Sequence, residues 1–211
     1  MQTLKWQQYL EAQLAHGKKL FTVAELANIA NTSHHILNVE LGRLTKRRAL
    51  VRYARGIYGV PNGVTPVDLV QYLDAHAYLT STYALFQQGM ITQVPTTFTC
   101  FTDRRHNRSR ERKTPLGRFV FVTVKKPVYA PPGDTLIAPG KQALYDFVYL
   151  MHRRGINPRN VVTFRNLDKL QQQSEDCFIH YPASVRKDVA GLYLTQAAFV
   201  SKIKGNETFH R

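Results

Sequence analysis

The sequence predicts an α+β protein, and three observations carry that reading. Helical spacing dominates the first fifty residues, a strand-turn-strand pattern follows at once, and the remainder mixes helical stretches with short β-rich runs. The same order predicts a DNA-binding domain over 1–62 and a mixed α/β domain over 63–200. Residues 201–211 are expected to be a flexible tail.

Trp6, Tyr9, Leu10, Gln13 and Leu14 keep helical spacing, and Gly17 ends that helix before Lys18-Lys19. Thr22 with Glu25 three residues on is a capping-box pattern, so a short helix is expected from Val23 to about Ile29. The polar run Asn31-Thr32-Ser33 interrupts it and offers a new N-cap for a longer helix reaching Arg47 or Arg48. After Ala49 the pattern becomes strand: Leu50–Tyr53, a turn at Ala54-Arg55-Gly56, and Ile57–Val60, closed by Pro61-Asn62-Gly63. Two helices joined by a short turn and followed by a hairpin predict a winged helix-turn-helix.

The second half is expected to begin with helices over Pro66–His76 and Thr80–Gln88. Strands over Thr97–Thr102 and Arg118–Val124 flank a basic loop. Lys141–Arg154 is strongly helical, with Leu144, Phe147, Val148 and Met151 as an apolar stripe, and weaker helices follow at Leu167–Gln173 and Ala183–Leu194.

The chain carries 29 Lys and Arg against 14 Asp and Glu, a formal net charge of +15. Such a surplus points to a polyanionic partner, most often nucleic acid. Residues 1–62 hold nine basic and three acidic side chains and residues 103–126 hold nine and two, so the surplus concentrates in two stretches. Cys100 and Cys177 stand in no metal-ligand or redox spacing and read as buried or incidental thiols. The N-terminus lacks a leader pattern, and the charge-free stretch 75–102 is studded with Thr, Gln, Tyr, Gly and Pro. A cytoplasmic protein without a membrane partner is expected.

Within the longer helix, Leu37, Leu41 and Leu44 fall on one face, toward the core. The opposite face carries His35, Val39, Gly42, Arg43 and Lys46, with Ser33, His34 and Asn38 near the helix start. Hydroxyl, imidazole and amide groups suit base edges, and a valine suits a thymine methyl. Arg43, Lys46, Arg47 and Arg48 fall where the helix would meet phosphates, and Arg52 and Arg55 do so on the wing. Double-stranded DNA is therefore the expected partner. A solvated basic helix end is the plainer explanation for any one of these residues.

The densest charge run is Arg104-Arg105-His106-Asn107-Arg108-Ser109-Arg110-Glu111-Arg112-Lys113. It reads either as a phosphate, RNA or acidic-partner surface, or as a disordered hairpin tip serving solubility. Arg165 and Lys169, taken as one helical turn apart, are candidates to join Arg153, Arg154 and Arg159 in a further basic patch, or to be a solvated face.

Three runs resemble the AbiEi-like antitoxins of bacterial abortive-infection and type IV toxin-antitoxin systems. They are Arg55-Gly56-Ile57-Tyr58-Gly59-Val60-Pro61, then Tyr78–Leu85 with Gly89-Met90-Ile91, then Ile137–Asp146. They follow the family's order between Arg55 and Asp146. One departure is Arg48-Ala49, where such winged helices often carry a glycine. The resemblance implies an autorepressor that binds promoter inverted repeats through its N-terminal domain. It further implies a C-terminal domain that counteracts a co-encoded nucleotidyltransferase-like toxin without a stable complex.

No catalytic set stands out. Arg165-Asn166-Leu167-Asp168-Lys169, and Glu175-Asp176 before His180, lack metal-site or nuclease spacing. Gly133 and Gly140 around Lys141 lack the rest of a phosphate loop, and Ser174 has no evident base. No enzyme, cofactor or metal is expected. The alternatives are an enzyme acting on nucleic acid or nucleotides that a winged helix delivers, a transcriptional regulator that is not an antitoxin, and a module docking a protein partner.

Overall fold

The computed structural model describes residues 3–106, 109–171 and 178–194. Among them lie eight α-helices and two β-sheets, a mixed α+β architecture. The chain divides into two compact units: Met1–Ala75 with Glu111–Phe119, and His76–Arg110 with Val120–Arg211.

In the first unit, helix α1 (Thr3–Ala15) leads through Gly17 into strand β1 (Leu20–Thr22). Thr22 then caps helix α2 (Val23–Ala30) with the expected box, its hydroxyl accepting from the Glu25 amide while the Glu25 carboxylate accepts from Thr22. Burial pushes the Glu25 carboxyl up, but the Lys18 ammonium at 2.6 Å and the Thr22 donors outweigh it and hold the group below the usual carboxylate range. Asn31, left-handed at φ 45°, ends α2, and extended Ser33 opens helix α3 (His34–Lys46). A hairpin of β2 (Val51–Ala54) and β3 (Ile57–Gly59) follows, turned by Gly56 at φ 76°. The three strands form one antiparallel sheet in the order β1-β3-β2, with a bulge between Arg52 and Ala54.

Trp6, Leu10, Phe21, Leu26, Leu37, Leu41, Leu44 and Leu50 make the core of this unit. Each fully buried leucine contributes roughly 1.5–3 kcal/mol relative to exposure. The Trp6 indole N–H donates to the Glu40 carboxylate at 2.8 Å, tying α1 to α3. Helix α4 (Pro66–Leu73), capped by Thr65 and Asp68, is held to β1 by Lys19–Asp68 at 3.3 Å and by the Tyr72 hydroxyl donating to Leu20 O. It ends before the expected His76 because Asp74 is already extended.

The second sheet has the order β4-β5-β7-β6, from β4 (Tyr78–Thr80), β5 (Thr97–Thr102), β6 (Glu111–Thr114) and β7 (Gly117–Thr123). In the second unit, α5 (Ser81–Gln87) follows β4 directly. Helix α6 (Gly140–Arg154) buries nearly its whole N-terminal two-thirds, including the expected stripe. Helix α7 (Asp168–Gln171) and helix α8, residues 183–194, complete the described part. The expected extension of α7 to Gln173, the thiol Cys177 and the tail 201–211 lie outside the described residues.

Strands β1, β4 and β6 are additions to the sequence expectation. The first two are three-residue, largely buried runs without alternation, and β6 lies inside the run read as a loop. Arg110 O accepts from the Phe121 amide beside it, so residues 110–114 pair with β7 rather than forming a disordered tip.

Two charged side chains of α6 are fully buried. The Asp146 carboxylate accepts from the Thr80 and Tyr181 hydroxyls, each at 2.6 Å, and from Tyr78 at 3.5 Å. Lys141 places its ammonium 5.6 Å from the centre of the Phe178 ring. Removal from water pushes the Asp146 carboxyl up to about 7 despite the three donors.

Candidate nucleic-acid interface

Helix α3 is positioned from below by its apolar face. Leu37, Leu41 and Leu44 are between 0% and 3% exposed, which fixes the rotation of the helix and turns the other side outward. Ser33, His35, Asn38, Val39, Gly42, Arg43, Lys46 and Arg47 are all exposed there. Ser33 occupies the N-cap position without a side-chain cap bond. The side chain of His34 lies outside the described residues.

Ile36, 53% exposed, joins this face beside Val39 at 46%. It is absent from the expected site, although its position one residue before a core leucine on a helix already places it off the core face. A helix of 13 residues is about 20 Å long and about 10–12 Å across, dimensions that a major groove about 12 Å wide accepts. It turns hydroxyl, imidazole, amide and apolar side chains outward near its start and the cations Arg43 and Lys46 toward its end, groups of the kinds that can contact base edges and phosphates.

The hairpin is anchored rather than free. The Tyr53 hydroxyl donates to Val60 O at 2.9 Å, Val23 N–H donates to Gly56 O, and Gly59 packs so closely that an added Cβ would lie 2.7 Å from Lys19 O. Arg52 and Arg55 are exposed on it, Arg55 in the turn. Arg48 takes φ 58° between α3 and β2, so an arginine adopts the left-handed turn that a glycine usually makes.

The remaining basic residues divide. Arg112 and Lys113 sit on β6, in the part of the chain grouped with the first unit, while Arg104, Arg105 and Arg110 belong to the second. Arg108 lies outside the described residues. Arg105 and Arg153 line one cleft of the second unit, whereas Arg154 is exposed at the end of α6. The pairing of Arg165 with Lys169 across a helical turn does not occur. Helix α7 starts only at Asp168, and Arg165 is drawn into an extended segment by its amide donating to Met90 O at 2.7 Å. Both side chains are exposed.

Among the described residues no three His, Cys, Asp or Glu side chains group as a metal site, and no helix is long and apolar enough to cross a membrane. Ser174, Glu175 and Asp176 lie outside those residues. His180 Nε2 is buried without a hydrogen-bond partner among them, and burial lowers the pKa of its ring. Cys100 is wholly buried. The chain matches no protein-family model and no curated protein.

Proposed function

We propose that the first unit is a winged helix-turn-helix that binds double-stranded DNA, with α3 in the major groove and the β2–β3 hairpin as the wing. The observation that carries this is the outward face of α3, where polar readers precede basic side chains along a helix whose other face is locked into the core. The element order helix, strand, helix, helix, strand, strand supports it, as does the β1-β3-β2 sheet that joins the wing to the strand before α2. The +15 charge supplies the long-range attraction to a polyanion.

The protein is proposed to be a cytoplasmic antitoxin and repressor of its own promoter. Its second unit would counteract a co-encoded nucleotidyltransferase-like toxin without a stable complex. This part rests on the three ordered runs resembling AbiEi-like antitoxins. Binding to the upstream DNA of its own gene is the test. Measured against salt, replacing Arg52 and Arg55 by Ala is expected to lower the slope of log affinity on log salt by about 2, at roughly 0.9 per phosphate contact. An unchanged slope removes the wing from the interface.

A further inference from the structure

The geometry points to a second, separate binding site in the second unit, a basic cleft that takes the di- or triphosphate group of a free nucleotide. The open cleft has a volume of about 630 Å³ and lies where β5 and β7 end side by side. The Val124 amide donates to Thr102 O at 3.0 Å, and the Thr123 hydroxyl donates to Arg104 O at 2.8 Å, so the two strand ends and the residues leaving them form one wall. Helix α6 forms the other with Tyr149 and Arg153. Its volume lies within the roughly 300–1,000 Å³ of small-molecule sites.

Four cations line this concavity: Arg105 from the segment leaving β5, Lys125 and Lys126 from the segment leaving β7, and Arg153 from α6. The carboxylate that lines it, Asp103, lies with Oδ1 3.0 Å from His76 Nδ1. No salt bridge joins any of the four to a carboxylate among the described residues. Four like charges around one cleft repel each other within a Debye length of about 8–10 Å, and a multiply charged anion relieves that repulsion. A single carboxylate or chloride neutralises too little.

Arg153 is also held in place. Its guanidinium carbon lies 5.8 Å from the centre of the Tyr149 ring, and that ring is wedged edge-on against Phe101 and Tyr181. A planar guanidinium parked on an aromatic face offers a fixed fork to phosphate oxygens, while the lysines supply adjustable point charges for further phosphates. Four cations gathered at one concavity match the clustered charges of a di- or triphosphate. This site owes nothing to α3 or the wing, so it stands or falls separately from DNA binding.

Calorimetric titration of the full chain with ATP, inorganic triphosphate and adenosine at about 0.15 M salt tests it. ATP and triphosphate should saturate one site with Kd below about 1 mM, and adenosine should not bind. Lys126→Gln and Arg105→Gln together should weaken both ligands by at least about tenfold. Lys169→Gln, outside the cleft, and the double variant Arg43→Ala, Lys46→Ala should leave both unchanged. Absence of saturable binding overturns the proposal. So does an equal loss in the Lys169 variant, which would mean diffuse charge attraction, or cleft-dependent binding of a thymidine oligonucleotide that ATP does not compete away. Both cleft substitutions are at exposed positions, and matched thermal melts exclude misfolding as the cause of a loss.

Discussion

Replacing Asp146 by Asn should change how the stability of the protein depends on pH. The carboxylate is wholly buried on α6 and accepts from Thr80 and Tyr181 at 2.6 Å, yet burial raises its pKa from 3.8 to about 7. That rise corresponds to about 4 kcal/mol between its two protonation states. Below pH 3.8 the folded and unfolded chains both hold the proton and the group is neutral in both. As pH rises the unfolded chain loses its proton first, so stability falls until the folded-state pKa is passed near 7, where the deficit becomes complete. Between about pH 5 and 8 the wild type should lose about 2–3 kcal/mol from this group. The Tyr78 and Tyr181 hydroxyls stay neutral throughout, because burial raises both. Asn removes the titration at a constant cost of about 1–3 kcal/mol for the rearranged hydrogen bonds. Urea unfolding followed by far-UV circular dichroism should therefore show the variant's deficit against wild type shrinking by about 2–3 kcal/mol from about pH 5 to 8. Fluorescence of Trp6, the single tryptophan, watches the core of the first unit as a control. A deficit constant across that range would refute the assignment of a raised pKa to Asp146.

Gly59→Ala puts a Cβ 2.7 Å from Lys19 O and 2.8 Å from Leu20 Cδ2, between β3 and the strand it pairs with. A loss of about 1–3 kcal/mol is expected in the Trp6 fluorescence transition, and an unshifted midpoint would show that the strands separate at little cost. Arg48→Gly should instead stabilise the first unit by about 1 kcal/mol, since a side chain at φ 58° is strained. A drop in Tm would mean that the Arg48 side chain makes interactions worth more than that strain.

The helices are legible where local chemistry and burial agree. Thr22 with Glu25 announces α2, the leucines at 37, 41 and 44 announce the buried face of α3, and Gly56 marks the hairpin turn. Strands β1 and β4 are not legible, because three buried residues show no alternation and gain their partners from distant segments, Gly59 for Leu20 and Phe101 for Tyr78. The same holds for β6, whose charge masks its pairing with β7. On the candidate interface, the exposed positions of α3 follow from helical geometry once its core face is known. Ile36 obeys the same geometry, since one residue before a core leucine lies off the core face, but its apolar side chain gives no signal of its own for exposure. The basic cleft is not legible either, since Arg105, Lys125 and Arg153 meet only when the ends of two strands and a helix are brought together. Nothing local signals that Asp146 and Lys141 are buried, because both have ordinary sequence neighbours on an amphipathic helix.

The central claim is that α3 enters the major groove, and the binding of Arg43→Ala, Lys46→Ala protein to the upstream DNA tests it most directly. Fluorescence anisotropy should show affinity falling at least about tenfold, with loss of preference for that DNA over an unrelated duplex of equal length. Unchanged affinity with preserved preference, in protein whose melting curve matches wild type, would contradict the account.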